Sequence, residues 1–261
     1  MSGGGCPDLD PDRVGAILSE VAEAEILPRF RNLTAGQIRE KQPGQLVTEA
    51  DTEAERAIAA RLAGLIPGAA IVGEEAVAAD PGRLGALDQP GAVWVIDPVD
   101  GTGNFAAGNP RFAVILALVV DGRTRCGWIL DPISKRLVTA AEGGGAWMAG
   151  ERLSVLSEAP LDQLAGSVKR SGALSRRVAR VGRLGSAAHD YLDLVTGRLH
   201  FAHFRRLMPW DHAAGVLIHA EAGGHGRMTD GSAYRPLPTE GALLLAPGEH
   251  VWTRLNALIA G

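Results

Sequence analysis

The segment Trp94-Val-Ile-Asp97-Pro98-Val99-Asp100-Gly101-Thr102-Gly103-Asn104-Phe105 places two carboxylates three residues apart, with a proline fixing the turn between them. At that spacing both side chains can point into one cleft. Mg²⁺ is small, takes oxygen ligands, and is usually held by few carboxylates plus a substrate phosphate. Directly after Asp100, the run Gly101-Thr102-Gly103 has little side-chain bulk to cover its backbone N–H groups. Such groups at the start of a helical turn can cradle a phosphate. Carboxylates for a metal beside amides for a phosphate make a phosphatase layout. Asp-Pro and Asp-Gly are also ordinary turn formers, so the segment alone leaves both readings open. The same glycines fit a dinucleotide-binding fingerprint with Asp121 downstream, but that motif needs a long helix after the glycines. Gly108 and Pro110 stop such a helix, and the next element reads as a strand.

The run Asp97-Pro-Val-Asp-Gly-Thr-Gly-Asn-Phe105 resembles the signature of the inositol monophosphatase family, within the metal-dependent, lithium-sensitive phosphatases. Three further segments match that family in order: Leu46-Val-Thr-Glu-Ala-Asp51, Ile71-Val-Gly-Glu-Glu75, and Pro209-Trp-Asp211-His-Ala-Ala-Gly215 with Glu221-Ala-Gly-Gly224. The resemblance implies that Glu74, Asp97 and the Val99 carbonyl serve one metal, and that Asp97, Asp100 and Asp211 hold a second. It implies two or three Mg²⁺ per site. Asp51 and Thr102 would orient and activate the attacking water, and the Gly101 and Thr102 amides would hold the phosphate. Paired ions about 4 Å apart can stabilise the attacking and leaving oxygens together. Several acids in one cleft would repel each other without cations, which agrees with a metal site. Gly185-Ser-Ala-Ala-His189 matches the substrate-side segment, so Ser186 and Ala187 are expected against the substrate.

This sequence departs from the family pattern at several points. Gly103 stands where a second threonine is common, which bears on the lithium inhibition that the resemblance implies. Phe204 occupies the place of an inositol-recognising acid, and His189 and Asp190 are atypical. Lys41 is a candidate to approach the site, and Glu75 reads as a surface or supporting residue beside Glu74. Asp51 and Asp211 can also be read as helix-start residues. The expected reaction is hydrolysis of inositol monophosphate or a similar polyol phosphate by metal-activated water. Alternatives on the same scaffold are histidinol phosphate, a nucleotide 3′-phosphate or a sugar bisphosphate, and outside catalysis a regulatory binding role.

Several elements must position these residues. Apolar spacing predicts a helix from Asp10 to about Phe30 and another from Thr48 or Asp51 to Leu65, with a hairpin over Ile38–Val47 between them. Short apolar runs at Ala69–Val72 and Val93–Ile96 read as buried strands that end at acids. Phe112–Val120, Arg125–Leu130 and Leu137–Ala141 read as a meander, with Asp121-Gly122 as a hairpin turn. Later, Leu164–Lys169, Leu199–Ala202 and Leu243–Ala246 read as strands, and Gly185–Thr196, Asp211–Ala222 and Val251–Ile259 as helices. This mixed order predicts an α/β (α+β) fold, and the resemblance implies a layered αβαβα sandwich of the inositol monophosphatase and fructose-1,6-bisphosphatase type. It is expected as one domain over residues 1–261, with a metal and phosphate half at 1–150 and a substrate half at 151–261.

Composition limits the alternatives. The 261 residues are 46% hydrophobic and 21% charged with net charge −4, which offers no basic face for nucleic acid. Arg176-Arg177 and Arg205-Arg206 are the compact basic clusters, and they read as solvated surface. The 34 glycines sit between regular elements, as turns and close backbone approaches require. Two cysteines, Cys6 and Cys126, argue against a disulfide framework. The opening Met1–Gly5 lacks a signal-peptide pattern and no apolar run is long enough to span a bilayer, so a cytoplasmic protein without membrane contact is expected. The resemblance further implies a homodimer acting on a small-molecule phosphate monoester. The histidines invite a zinc reading, but none stands at closed-site spacing.

Overall fold

Residues 113–120 are apolar without a break, and the fold explains why: both faces of their strand are covered. The computed structural model describes residues 9–42, 44–169 and 172–260. Cys6, the opening Met1–Gly5 and Pro43 of the anticipated hairpin turn lie outside the described residues. A seven-stranded sheet contains β3 (Ala70–Gly73), β4 (Ala92–Asp100), β5 (Ala113–Val120), β6 (Arg123–Asp131), β7 (Arg136–Ala141), β8 (Gly145–Met148) and β9 (Glu151–Arg152), in that order. The pair β3/β4 is parallel and the rest are antiparallel. On β5, Val114, Leu116 and Leu118 face one core, and Ala113, Ile115, Ala117 and Val119 face another. Alternation by two is the pleat itself. Asp121 and Gly122 both have positive φ, as the two-residue turn between β5 and β6 requires.

The first core lies under α1 (Pro11–Val21) and α2 (Glu49–Leu62). The second lies under α5 (Ala187–Val195) and α6 (Pro209–Glu221), whose other side meets a five-stranded sheet. That sheet runs β11 (Arg180–Gly182), β10 (Ala165–Val168), β12 (Phe201–Phe204), β14 (Leu243–Ala246), β13 (His225–Met228). A third core closes its outer face under α7 (Glu249–Ala260). The result is an α+β fold of five layers, α/β/α/β/α, with a small hairpin of β1 (Ile38–Gln42) and β2 (Gln45–Thr48) leading into α2.

The first helix is shorter than its apolar spacing predicts. After Val21 it widens to a π turn over Ala22–Ile26 and tightens to a 3₁₀ turn over Leu27–Arg29. Pro28 has no N–H to continue the ladder, so the helix cannot run on to Phe30. Short elements absent from the sequence reading are α3 (Glu74–Ala79), a 3₁₀ stretch over Pro81–Asp88, α4 (Thr102–Ala106), and β8, β9, β11 and β13. No helix among the described residues is long and apolar enough to cross a membrane.

Candidate active site

Asp97 and Asp100 differ by an odd number of residues, so a regular strand would turn them to opposite faces. The strand is not regular there. Asp97 pairs with Ile115 and Asp100 with Ala113, so the β4 side carries one extra residue between them. Such a bulge resets the alternation and brings both carboxylates to the face of Ala113 and Ile115. The turn expected at Pro98 is therefore a bulge inside a continuing strand. α6 supplies Asp211 from the opposite side. It starts at Pro209, with Met208 as its cap, so Asp211 lies in the first turn and is not the cap itself. One carboxylate oxygen from each of Asp97, Asp100 and Asp211 lies within 4.8 Å of the others.

The surroundings make this cluster unfavourable as three bare anions. Asp97 and Asp100 are buried, and Asp211 is half-buried. Burial, then the charges of Glu74, Asp100, Asp211 and Asp51, push the Asp97 carboxyl well above its usual range. Burial and the charges of Asp100 and Glu74 do the same for Asp211, opposed by Arg206 and a hydrogen bond with Asp97. Asp100 is also raised by burial, but less freely, because it accepts hydrogen bonds from the Ser186 hydroxyl, Ala187 N (3.1 Å) and Ala188 N (2.8 Å). These are the first N–H groups of α5, so Asp100 joins β4 to that helix start. A buried all-oxygen set whose members resist ionisation together fits a hard divalent cation.

Asp51 sits in the first turn of α2. Its Oδ2 accepts from Thr48 N (2.8 Å) and the Thr48 hydroxyl (2.6 Å), while Oδ1 accepts from the Thr102 hydroxyl (3.0 Å). The helix-start reading and the site reading of Asp51 therefore both apply. Burial raises its pKa to about 7 against the opposing pull of Thr48. The Thr102 hydroxyl is also 3.0 Å from the Val99 carbonyl. Gly101, between the two motifs, has φ +89°, and a Cβ there would meet the Arg111 carbonyl at 2.8 Å. Gly103 differs: a Cβ on it would meet nothing within 4 Å, so the missing side chain is not demanded by space.

Glu74 stands beside the three aspartates without joining their oxygen set. Its Oε1 is 3.1 Å from Lys41 Nζ, which also pairs with Glu75 at 2.5 Å. Lys41 thus does reach the site, and Glu75 is a largely buried ion-pair partner. Glu55 is the residue the sequence reading missed. It accepts from Glu75 N (2.7 Å) and Ala76 N (2.8 Å) and so fixes the start of α3, where Glu74 sits. Its signal was present: an acid one turn after Asp51 on the buried face that carries Ile58 and Leu62. Burial raises Glu55 to about 7.

A cleft of about 620 Å³ opens over these groups. Glu74, Asp97, Val99, Asp100, Gly101, Thr102 and Asp211 line one side, and Ser186 and Ala187 lie at its wall with their polar groups turned on Asp100. Phe204 forms part of the far wall, stacked on Tyr191 at 5.4 Å. Arg205 and Arg206 are exposed, as anticipated, but they also line the cleft. His189 faces elsewhere, with its ring against the Phe112 carbonyl at 3.3 Å. His212 is a packing residue: its Nε2 donates to the Arg206 carbonyl (2.8 Å), which leaves Nδ1 to accept from the Tyr191 hydroxyl (3.0 Å). No group of histidines or cysteines suited to zinc occurs among the described residues.

With this geometry in hand, the relatives are informative. The model of the inositol monophosphatase family matches residues 12–260. A *Thermotoga maritima* protein named fructose-1,6-bisphosphatase/inositol-1-monophosphatase is 36% identical over 195 residues, covering 71% of this chain and 73% of its own. An inositol-1-monophosphatase of *Mycobacterium leprae* is 35% identical over 246 residues, covering 83% and 84%. Among solved structures, a *Thermotoga maritima* IMPase superposes with a TM-score of 0.81 at 29% identity, covering 95% of this chain and 97% of that one.

Proposed function

The chain belongs to the inositol monophosphatase family, and from that we propose that it hydrolyses a small phosphate monoester, an inositol or related polyol phosphate, with Mg²⁺. The observation that carries this reading is the convergence of Asp97, Asp100 and Asp211 to within 4.8 Å, beside the Asp51–Thr102 pair. Asp97, Asp100 and Asp211 would hold one ion, and Glu74, Asp97 and the Val99 carbonyl another, with two or three per site. Bound Mg²⁺ supplies positive charge to a phosphoryl group and lowers the pKa of a water.

The chain's own residues account for the rest. Thr48 occupies one oxygen of Asp51, which leaves the other to fix the Thr102 hydroxyl. With its proton so engaged, that hydroxyl would accept a hydrogen bond from the attacking water and orient it. Asp51, buried and hydrogen-bonded to the Thr102 hydroxyl, is placed to take up a proton passed through that hydroxyl. The left-handed Gly101 and the following Thr102 present backbone N–H groups for phosphate oxygens. Water adds to phosphorus as the ester P–O bond breaks, giving the free alcohol and inorganic phosphate without a phospho-enzyme. We take the working form to be a cytoplasmic homodimer, following the family resemblance; sedimentation velocity reads the dimer directly. The decisive experiment measures phosphate release from a panel of monoesters with and without Mg²⁺. Mg²⁺-dependent release from a polyol phosphate is expected, and no release from any ester contradicts the reading.

A further inference from the structure

The first turns of α5 and α6 meet at the carboxylate cluster from separate parts of the chain. The start of α5 donates to Asp100 from the Ser186 hydroxyl, Ala187 N and Ala188 N. The start of α6 carries Asp211. Among the described residues one side-chain hydrogen bond joins the two helices, from the Tyr191 hydroxyl to His212 Nδ1 at 3.0 Å. Both of its ends lie next to the site. Tyr191 follows Ala187 and Ala188 by one turn, on their face of α5, and His212 directly follows Asp211.

That bond has a fixed polarity and little freedom. His212 Nε2 lies 2.8 Å from the Arg206 carbonyl, which can only accept, so Nε2 carries the proton of the neutral ring and Nδ1 is left as an acceptor. Tyr191 and His212 are both buried, so water does not compete for either group. The Tyr191 ring rests on Gly215 of α6, where a Cβ would overlap it, and stacks on Phe204 at 5.4 Å. Phe204 in turn packs on the His212 ring at 4.7 Å. Glycine weakens a helix interior, so Gly215 opposite a large ring gives up helix stability for a close approach of α5. A phenylalanine would fill the same space; the hydroxyl adds direction.

We propose that Tyr191 is a positioning residue: its hydroxyl, through His212, holds the Asp100 side of the site at a fixed distance from Asp211 and so sets the affinity for the divalent cation. The inference rests on the metal-dependent phosphatase reading above. Asp97 and Asp100 share β4, whereas Asp211 comes from α6, so the distance between strand and helix start has to be supplied by packing. Mg²⁺ demands near-ideal geometry and is sensitive to that distance. Groups that orient metal ligands without touching the ion affect its binding strongly.

The test uses the full chain, with Mg²⁺ binding read by titration calorimetry and phosphate release from inositol 1-phosphate measured beside it. Tyr191→Phe keeps the ring and removes the hydroxyl. It should weaken Mg²⁺ binding about tenfold and raise the Mg²⁺ concentration for half-maximal release to match, with KM for the ester at saturating Mg²⁺ little changed. His212→Leu should weaken binding at least as much, and Tyr191→Phe should add nothing in that background. His212→Asn, whose Oδ1 can stand in for Nδ1, should keep most of the affinity. Ile129→Val, a small cavity elsewhere in the same core, should lower the melting temperature and leave Mg²⁺ affinity at the wild-type value. Wild-type affinity in Tyr191→Phe overturns the proposal, as do additive losses in the double variant. Equal weakening in Ile129→Val also overturns it, because the effect would then be one of general stability. A wild-type chain that neither binds Mg²⁺ nor releases phosphate overturns the metal-dependent reading and the proposal with it.

Discussion

Asp97 accepts a backbone hydrogen bond from Val99 N (3.1 Å), against three donors on Asp100, yet it faces four other acids. Its charge therefore has to be balanced by protons or by cations. Asp97→Asn and Asp211→Asn should each lower phosphate release by at least ~10²-fold, the scale for losing one preorganised electrostatic group at a reacting phosphoryl. Far-UV circular dichroism should be unchanged in both. In a chain stripped of divalent cations, the same substitutions remove buried repulsion and should raise stability at pH 8 by on the order of 1–2 kcal/mol. Denaturant melts in EDTA read this second effect, and a destabilised Asp97→Asn protein would contradict it.

At the scale of elements, α6 is the part most exposed to error, because it carries Asp211 across the layer to meet β4. It packs on the sheet where β6 offers Gly127: a Cβ there would meet Ala214 Cα at 2.9 Å and the Ala214 carbonyl at 3.1 Å. Gly127→Ala should cost about 1–3 kcal/mol of stability, as overpacking does. It should also reduce turnover by displacing Asp211; a variant with wild-type melting and rate would show that the contact gives way freely. The same helix carries His219, buried with neither ring nitrogen partnered, whose pKa is held down at about 3 by burial and by His225. A histidine depressed in the folded state is protonated first in the unfolded chain. Its contribution is therefore intact above pH 6.5 and is lost as pH falls from 6.5 towards 3. At pH 5 the loss amounts to about 2 kcal/mol. His219→Leu should flatten the fall in stability between pH 7 and pH 5, as measured by urea melts; equal slopes in variant and wild type would exclude His219 as the source.

For the whole molecule, the core that joins the two sheets matters most. Val93, Ile115 and Ile129 of the seven-stranded sheet share it with Ala202, Leu243 and Leu245 of the five-stranded sheet, through α5 and α6. We propose that the halves form one cooperative unit. Calorimetry should then show a single transition, and Mg²⁺ should raise its midpoint in the wild type more than in Asp97→Asn, because a ligand stabilises only the state that binds it. Two separate transitions would show that the halves unfold independently.

What the sequence determined by itself was local. The unbroken apolar runs at β4, β5 and β14, the acids that follow the apolar runs of β3 and β4, the Asp121-Gly122 turn and the start of α2 are all encoded within a few residues of where they act. Hydrophobic period and turn chemistry operate at that range. Elements such as β9 and β11, with two and three residues, are too short to show a period, and the sheet alone makes them strands. Tertiary structure decided the rest. The register of β4 against β5 turns Asp97 and Asp100 to one face. Packing brings Lys41 to Glu74 and Glu55 to the start of α3. The order β11-β10-β12 lines up Lys169, Arg183, Arg205 and Arg206 on one edge, although Lys169 and Arg206 lie in separate segments of the chain. The physical reason is that each of these depends on which strands become neighbours, and that choice is made by burying two faces of two sheets at once.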